Sequence, residues 1–182
     1  MLSVHGMRLA YENWCWATAA PTWRDVLELV QLTDCPNIGL CLDTFQTAGY
    51  EWGDPTASSG RVENGTYFSD LKDLEKIAAQ KIYLLQISDA YRPPEPLSRD
   101  VENEMRPRAR WSQSFRPMPD KGYLPVVDMG SVVLRSGFRG WFSVEIFDGG
   151  PDGKGRPKQD LFKEADELMR LARDFVRRSE RA

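Results

Sequence analysis

The chain has 182 residues, of which 41% are hydrophobic and 28% are charged, a composition that can bury one core. Its formal net charge of −3 excludes the strong basic field that binding to nucleic acid or to an anionic membrane requires. The cysteine count is odd, at three, and neither a signal-peptide pattern nor an apolar run near the ~20 residues of a membrane span is evident, which predicts a cytoplasmic protein.

The first part of the chain alternates between strand-like and helix-like patterns. Residues 8–14 are predicted to form a strand, and Thr22 followed by Asp25 is typical of a capping box at a helix N-terminus. This helix carries an apolar stripe at helical spacing and is predicted to end near Asp34. Residues 37–45 are apolar on both faces, as expected for a parallel strand that is covered on both sides.

Two long loops are predicted in the middle of the chain. Residues 47–66 are rich in Gly, Ser and Pro and are too many for a plain connection, which indicates a substrate loop. A helix beginning at Ser69 and a strand over residues 81–88 follow. Residues 90–125 contain most of the prolines and many arginines, and we expect them to form an elaborated loop at the active face.

The final βα unit follows this second loop. A helix over residues 129–136 leads into a strand over residues 141–147, and a last helix is predicted over residues 158–178. The inward face predicted for that helix consists of Leu161, Phe162, Ala165, Leu168, Met169, Ala172, Phe175 and Val176.

Four βα units predict an α/β fold with parallel strands and helices outside. A complete (β/α)8 barrel needs eight strands and takes roughly 250 residues. The sequence therefore predicts the C-terminal half of a TIM barrel, with residues 1–182 as a single domain. Since half a barrel leaves two sheet edges open, we expect a homo-oligomer or completion by a missing N-terminal half.

Each of the four predicted strands ends on a side chain that offers an oxygen ligand, namely Glu12, Asp43, Gln86 and Glu145. Because the C-terminal ends of parallel strands converge, these side chains predict one hard-metal site, with Mg²⁺ or Mn²⁺ favoured and Co²⁺ an alternative. A histidine-rich zinc site is excluded because His5 is the only histidine. For Gln86 an equal alternative is a core amide bonded to neighbouring backbone.

A second group of polar side chains lies in the arginine-rich loop. Arg108, Arg110 and Arg116 flank Trp111 and Ser112, so that cations could clamp a carboxylate while an aromatic ring packs against the substrate. Solvated arginines on a surface loop would give the same pattern.

Several motifs together resemble one family, the fungal-type 3-dehydroshikimate dehydratases, within the xylose isomerase-like sugar phosphate isomerase/epimerase TIM-barrel superfamily. The motifs are YENWCWA at 11–17, CLDTF at 41–45, WSxxxR at 111–116, GYLPV at 122–126 and GFRGWxSxE at 137–145. The resemblance covers about residues 6–147, and it implies that the four strand-end residues named above are the metal ligands.

The resemblance also implies a reaction. A metal-dependent lyase of this family dehydrates 3-dehydroshikimate, a polyhydroxy keto acid, to protocatechuate through a metal-stabilised enolate, as in quinate/shikimate catabolism. Arg116, with Arg108 or Arg110, would hold the substrate carboxylate, and Trp14 or Trp16 would wall the pocket.

Two positions depart from the bacterial members of the family, which have histidines where this chain has Trp14 and Gln46. Neither side chain can act as a general base at neutral pH, so both are assigned to substrate binding. The catalytic candidates are then Glu12, Glu145 and Asp89. The base could instead come from the missing half of the barrel or be a metal-bound hydroxide, and Asp89 could equally cap the turn that follows it.

Two other functions remain open on the sequence. The same metal could serve a sugar phosphate or keto-acid isomerase or epimerase, in which the intermediate is reprotonated instead of losing hydroxide. The chain could also be a non-catalytic truncated half-barrel.

Overall fold

The computed structural model of the protein describes residues 2–157 and 160–182. The strands in these residues are β1 (Leu9–Glu12), β2 (Ile38–Asp43), β3 (Ile82–Ile87), β4 (Phe115–Arg116), β5 (Trp141–Val144) and β6 (Phe147–Asp148). The α-helices are α1 (Trp23–Thr33), α2 (Thr44–Glu51), α3 (Tyr67–Leu74), α4 (Pro107–Ser114), α5 (Val126–Arg135) and α6 (Leu161–Arg181). Short 3-10 turns occur at Leu2–His5 and Ala79–Lys81.

The centre of the fold is a four-stranded sheet in the order β1-β2-β3-β5, with every neighbouring pair parallel. The register places Glu12 beside Cys41 and Asp43 beside Gln86, so the polar strand ends share one edge of the sheet. Glu145 directly follows β5, and its backbone N–H donates to the carbonyl of Ile87 at 3.1 Å. The predicted α/β fold with parallel strands is confirmed.

The first helix begins as its sequence predicts. The Thr22 hydroxyl accepts from the backbone N–H of Asp25 at 3.2 Å, and the Asp25 carboxylate accepts from the backbone N–H of Thr22 at 2.9 Å. This reciprocal capping box satisfies two N–H groups that the first turn leaves without helical partners. The apolar stripe of α1 then buries Trp23, Val26 and Val30 in the core.

The prediction of two long loops, over residues 47–66 and 90–125, is wrong in part because each segment contains helical residues. Strand β2 ends at Asp43, whose Oδ1 accepts from the backbone N–H of Gln46 at 2.9 Å and so caps α2 at once. The predicted strand end at residue 45 and loop start at residue 47 therefore fall inside α2. In the second loop, Pro107 occupies the first turn of α4, where its fixed φ and missing N–H favour a helix start.

The segment after β5 also differs from the prediction. Strand β5 ends at Val144 instead of continuing to residue 147, and β6 turns away to pair antiparallel with β4. In this two-stranded ladder Arg116 lies opposite Phe147. Helix α5 begins three residues earlier than predicted, at Val126.

The predicted inward face of the last helix is only partly correct. Phe175 is buried as predicted, and so is Leu171, which the predicted face did not include. Leu161 and Phe162, in contrast, are 77% and 87% exposed. The physical reason is length, since α6 has 21 residues and α5, the helix it packs on, has 10. Residues 158 and 159, at the start of the predicted helix, lie outside the described residues.

Two further observations concern the cysteines and the helices. Cys15, Cys35 and Cys41 are all free thiols. Among residues 2–157 and 160–182, every helix is too short or too polar to cross a lipid bilayer.

A buried carboxyl at the end of α2 predicts a pH-dependent stability. Glu51 is 7% exposed, and burial, followed by the charge of Asp70, raises its pKa from 4.5 to about 8. Because the folded state holds this proton more tightly than the unfolded state, stability is highest below about pH 4.5 and falls as pH rises toward 8. At about 1.4 kcal/mol for each pKa unit, we expect the loss to reach a few kcal/mol.

Urea unfolding across this pH range tests the prediction. Glu51→Gln should remove part of the loss. The remainder comes from other carboxyls whose pKa values burial raises in the same direction, Glu12 and Asp89 among them. Glu95→Gln is the matched control because it removes one exposed carboxylate. If Glu51→Gln and Glu95→Gln have the same pH dependence, Glu51 does not have the assigned effect.

Candidate active site

Three carboxylates meet at the C-terminal edge of the sheet. Glu12 ends β1, Asp43 ends β2 and Glu145 follows β5, and one oxygen from each lies within 4.8 Å of the others. Asp43 is fully buried, and the other two are partly buried. The predicted convergence of strand ends therefore occurs for these three residues.

The electrostatics of this cluster favour a bound cation. Burial raises the pKa of Glu12 to about 8, and the nearby charges of Asp43 and Glu145 add to the rise, while Arg116 opposes it. Three carboxylates at this spacing repel one another unless positive charge is close by. The arrangement is thus one that a divalent cation would relieve.

The Gln86 side chain faces the carboxylates, and its hydrogen bonds within the described residues go to two other side chains. Its amide Nε2 donates to Asp43 Oδ2 at 2.9 Å, and its Oε1 accepts from the Ser143 hydroxyl at 3.3 Å. The alternative of a core amide satisfied by neighbouring backbone does not describe these contacts. Gln86 thus lies in the first layer around Asp43, where the sequence places a ligand.

Arg116 lies inside the same cluster and is 1% exposed. Its Nη2 pairs with Asp43 Oδ2 at 3.1 Å and with Glu145 Oε2 at 2.5 Å. On the other side, its Nε donates to the Ser88 hydroxyl at 2.7 Å and its Nη1 to the Ser112 hydroxyl at 3.4 Å. Ser88 was not predicted, since a serine one residue past a strand carries no distinguishing sequence signal.

A cavity of about 630 Å³ opens above these groups. Seven predicted site residues line it, namely Glu12, Trp14, Trp16, Gln46, Ser112, Arg116 and Glu145. The lining residues that the sequence did not single out are Ala17, Thr18, Glu104, Met105, Arg106, Ala109, Gln113 and Phe147.

The segment after β1 forms one wall of the cavity. Trp14 and Trp16 stack with ring centroids 4.7 Å apart, and the Gln46 side chain accepts from the backbone N–H of Cys15 at 3.0 Å. Arg106 spans from α4 to this wall, donating to the Trp16 carbonyl at 3.4 Å and to the Thr18 hydroxyl at 3.2 Å. The wall is thus tied to both α2 and α4.

Two predicted arginines point away from the cavity. Arg108 donates to the carbonyls of Gly49 and Gly53 at 2.8 and 3.1 Å, and Arg110 pairs with Glu102. The reason is the helix that the sequence did not predict there. The cavity face of α4 carries positions 109, 112 and 113, which share one side at a helical period, and positions 108 and 110 lie off it.

Trp111 and Asp89 likewise do not line the cavity. Trp111 is fully buried, and its ring N–H donates to the Tyr91 carbonyl at 2.8 Å. The Asp89 carboxylate accepts from the backbone N–H groups of Ala90, Gly122 and Leu124 at 2.7, 3.1 and 3.1 Å. Burial raises the pKa of Asp89 to about 6. In the structure, Trp111 therefore packs in the core instead of against a substrate. Asp89 holds the backbone of the loop at Gly122 and Leu124 and does not face the cavity.

Comparison with known proteins agrees with the resemblance in the motifs. A family model described as "Xylose isomerase-like TIM barrel" matches residues 1–175. A 3-dehydroshikimate dehydratase of Neurospora crassa is 34% identical over 153 residues, which cover 78% of this chain and 43% of that protein. A protein of the same name from Pseudomonas aeruginosa is 30% identical over 148 residues, covering 81% of this chain and 19% of its own length. The chain thus spans less than half of these relatives.

Solved structures share the fold. A xylose isomerase-like TIM barrel/4-hydroxyphenylpyruvate dioxygenase fusion protein is 27% identical with a TM-score of 0.66, covering 93% of this chain and 22% of its own. An IolI protein with a binding zinc atom is 18% identical with a TM-score of 0.65, covering 95% of this chain and 50% of its own. With 175 consecutive residues matched and a parallel sheet of the expected kind, the chain belongs to the xylose isomerase-like TIM barrel family.

Proposed function

We propose that this chain forms the cation-binding and substrate-binding face of a lyase that dehydrates 3-dehydroshikimate to protocatechuate. The observation that carries the proposal is the meeting of three carboxylates with Arg116. Glu12, Glu145 and Arg116 line one cavity, and Asp43 is buried beside them. Curated relatives at 34% and 30% identity bear the name of this enzyme.

The clustered carboxylates fit a hard divalent cation. Glu12, Asp43 and Glu145 would hold it through carboxylate oxygens, and Gln86 would add its amide oxygen after a rotation of the side chain. Oxygen donors of this kind favour Mg²⁺ or Mn²⁺, with Co²⁺ as an alternative. When bound, such a cation supplies Lewis-acid polarisation of a substrate carbonyl.

The other lining residues would position the substrate. Arg116 offers a guanidinium for the substrate carboxylate, and the stacked pair of Trp14 and Trp16 forms an apolar wall that limits access of water. Dehydration also requires a base that removes a proton next to the ketone. Among the described residues that line the cavity, the carboxylates of Glu12 and Glu145 lie beside Arg116 and are our candidates for this base.

Completion of the barrel is part of the proposal. In the described sheet, β1 and β5 each pair with one strand, so each offers an edge to further strands. Trp141, at the start of β5, is largely exposed. We infer that a second copy or an N-terminal half supplies the other strands and that the substrate is a small molecule held between the halves.

The test is turnover of 3-dehydroshikimate followed by the absorbance of protocatechuate. The assay uses the 182-residue protein alone and, in parallel, co-expressed with the N-terminal half of the Neurospora relative. We expect product formation that depends on Mg²⁺ or Mn²⁺ and is abolished by chelation, with Arg110→Gln as a control variant outside the cavity.

Other outcomes would select other functions. Exchange of a substrate proton with solvent, without protocatechuate, would instead support the isomerase or epimerase function. If neither the protein alone nor the co-expressed form shows a cation-dependent reaction, the proposal is contradicted and the non-catalytic half-barrel is the remaining function.

A further inference from the structure

Arg116 contacts two of the three carboxylates that would hold a divalent cation. Its Nη2 lies 3.1 Å from Asp43 Oδ2 and 2.5 Å from Glu145 Oε2. The guanidinium is therefore an internal cation for two of the three clustered carboxylates. The inference drawn from this contact rests on the cation site of the proposed function.

The Oδ2 atom of Asp43 already accepts as many hydrogen bonds as it has lone pairs. Its Oδ1 accepts the backbone N–H of Gln46 that caps α2, and its Oδ2 already accepts from both Gln86 Nε2 and Arg116 Nη2. A carboxylate oxygen offers about two lone-pair sites. A cation that binds Asp43 Oδ2 must consequently displace one or both of these donors.

The rest of the Arg116 side chain does not depend on the carboxylates. Nε donates to the Ser88 hydroxyl at 2.7 Å and Nη1 to the Ser112 hydroxyl at 3.4 Å. Besides its two carboxylate contacts, Nη2 also donates to the Ser88 hydroxyl. The backbone of Arg116 is paired with Phe147 in the β4–β6 ladder. Release of Nη2 would thus leave the guanidinium anchored at the cavity wall instead of freeing the whole side chain.

We propose that Arg116 Nη2 is exchanged between two partners, the carboxylates of Asp43 and Glu145 in the cation-free protein and the carboxylate of the ligand in the cation-bound protein. A divalent cation held by the two protein carboxylates would leave the guanidinium in place on Ser88 and Ser112, with an Nη2 N–H free to bind an anionic ligand in the cavity. Cation binding and carboxylate binding therefore strengthen each other. By linkage, each ligand raises the affinity for the other by the same factor.

Two measurable effects follow, one on the binding of Mn²⁺ alone and one on the binding of benzoate. Wild-type protein must break the Nη2 contacts before it binds Mn²⁺, whereas Arg116→Gln has no guanidinium to displace. Hydrogen bonds to charged groups are among the stronger ones in proteins, so we expect the variant to bind Mn²⁺ roughly tenfold more tightly. We expect wild-type protein to bind benzoate roughly tenfold more tightly once Mn²⁺ is present.

Calorimetric titration measures both effects without any turnover. Mn²⁺ is titrated into wild-type protein, Arg116→Gln and Arg110→Gln at neutral pH, and benzoate is then titrated with and without Mn²⁺. Benzoate is the probe because it offers a carboxylate but lacks the adjacent hydroxyls that would chelate the metal. Arg110→Gln is the matched control, since it removes one arginine of α4 whose partner is Glu102. It should behave as wild type in both titrations.

Circular dichroism establishes that the variants are folded, and Arg116→Lys provides a second variant that keeps the positive charge. A lysine ammonium cannot span Ser88, Ser112 and the carboxylates together, so the coupling between Mn²⁺ and benzoate should fall in Arg116→Lys as well.

Persistence of the full coupling in both Arg116 variants would overturn the proposal, because the metal itself would then be binding benzoate. Equal Mn²⁺ affinity in wild-type protein and Arg116→Gln would also overturn it while leaving the proposed function intact. Absence of Mn²⁺ binding in every variant would overturn both.

Discussion

Asp43→Asn is expected to lower the affinity of the protein for Mn²⁺ by roughly 100-fold or more. Asp43 is the most buried of the three clustered carboxylates and is the one that contacts both Gln86 and Arg116. The substitution keeps the size of the side chain and one oxygen that can still cap α2, but it removes a negative charge from the cation site. Calorimetric titration with Mn²⁺ at neutral pH measures the change.

Glu51→Gln is the matched control for this experiment. It also replaces a buried carboxyl with an isosteric amide, but Glu51 lies at the far end of α2 and outside the cavity. We expect its Mn²⁺ affinity to equal that of the wild type. Similar losses in both variants would mean that the effect comes from the fold as a whole, and an unchanged affinity in Asp43→Asn would place the cation elsewhere.

The carboxylate cluster could be predicted from the sequence because its geometry follows from strand register. In a parallel sheet, residues at equivalent strand ends must lie side by side, and Asp43 does lie beside Gln86. Strand register does not decide the role of Asp89, which lies two residues past the end of β3. Its partners include the N–H groups of Gly122 and Leu124, more than 30 residues away in the chain, and no local pattern identifies such contacts.

The arginine-rich segment shows a second limit of prediction from sequence. Without a predicted helix, the sequence gives no means to decide which of Arg106, Arg108, Arg110 and Arg116 face the cavity. The apolar residues of α4 are too few to mark a buried stripe, since only Trp111 is both apolar and fully buried. In the structure, Arg106 and Arg116 line the cavity, and Arg108 and Arg110 lie outside it.

The exposed start of α6 has a related cause. Its apolar spacing correctly indicates an amphipathic helix, and Phe175 packs so closely on α5 that a Cβ on Gly130 would lie 2.6 Å from its ring. The apolar spacing in α6 does not, however, indicate how long α5 is. Leu161 and Phe162 extend beyond α5 and are therefore left exposed in the described part of the chain.

Trp111→Ala is expected to lower the free energy of unfolding by about 4 kcal/mol, a large share of the stability of an ordinary domain. The ring packs edge-on against Phe45 with centroids 5.0 Å apart, and a Cβ on Gly53 would lie 2.6 Å from it. Because glycine and backbone line the ring on one side, no side chain there can fill the cavity that truncation leaves. The Tyr91 carbonyl would also lose the donor that now lies 2.8 Å away.

Trp14→Ala separates this structural role from binding at the cavity. Trp14 is 49% exposed and stacks on Trp16 in the lining, so its truncation should lower the free energy of unfolding by less than about 1 kcal/mol. Urea unfolding followed by circular dichroism compares the two variants. If Trp111→Ala unfolds at the same urea concentration as Trp14→Ala, the ring does not support the core, and the substrate-binding role predicted for Trp111 would have to be reconsidered. A large loss for Trp111→Ala alone would instead show that this tryptophan supports the core, where it packs α4 against Phe45.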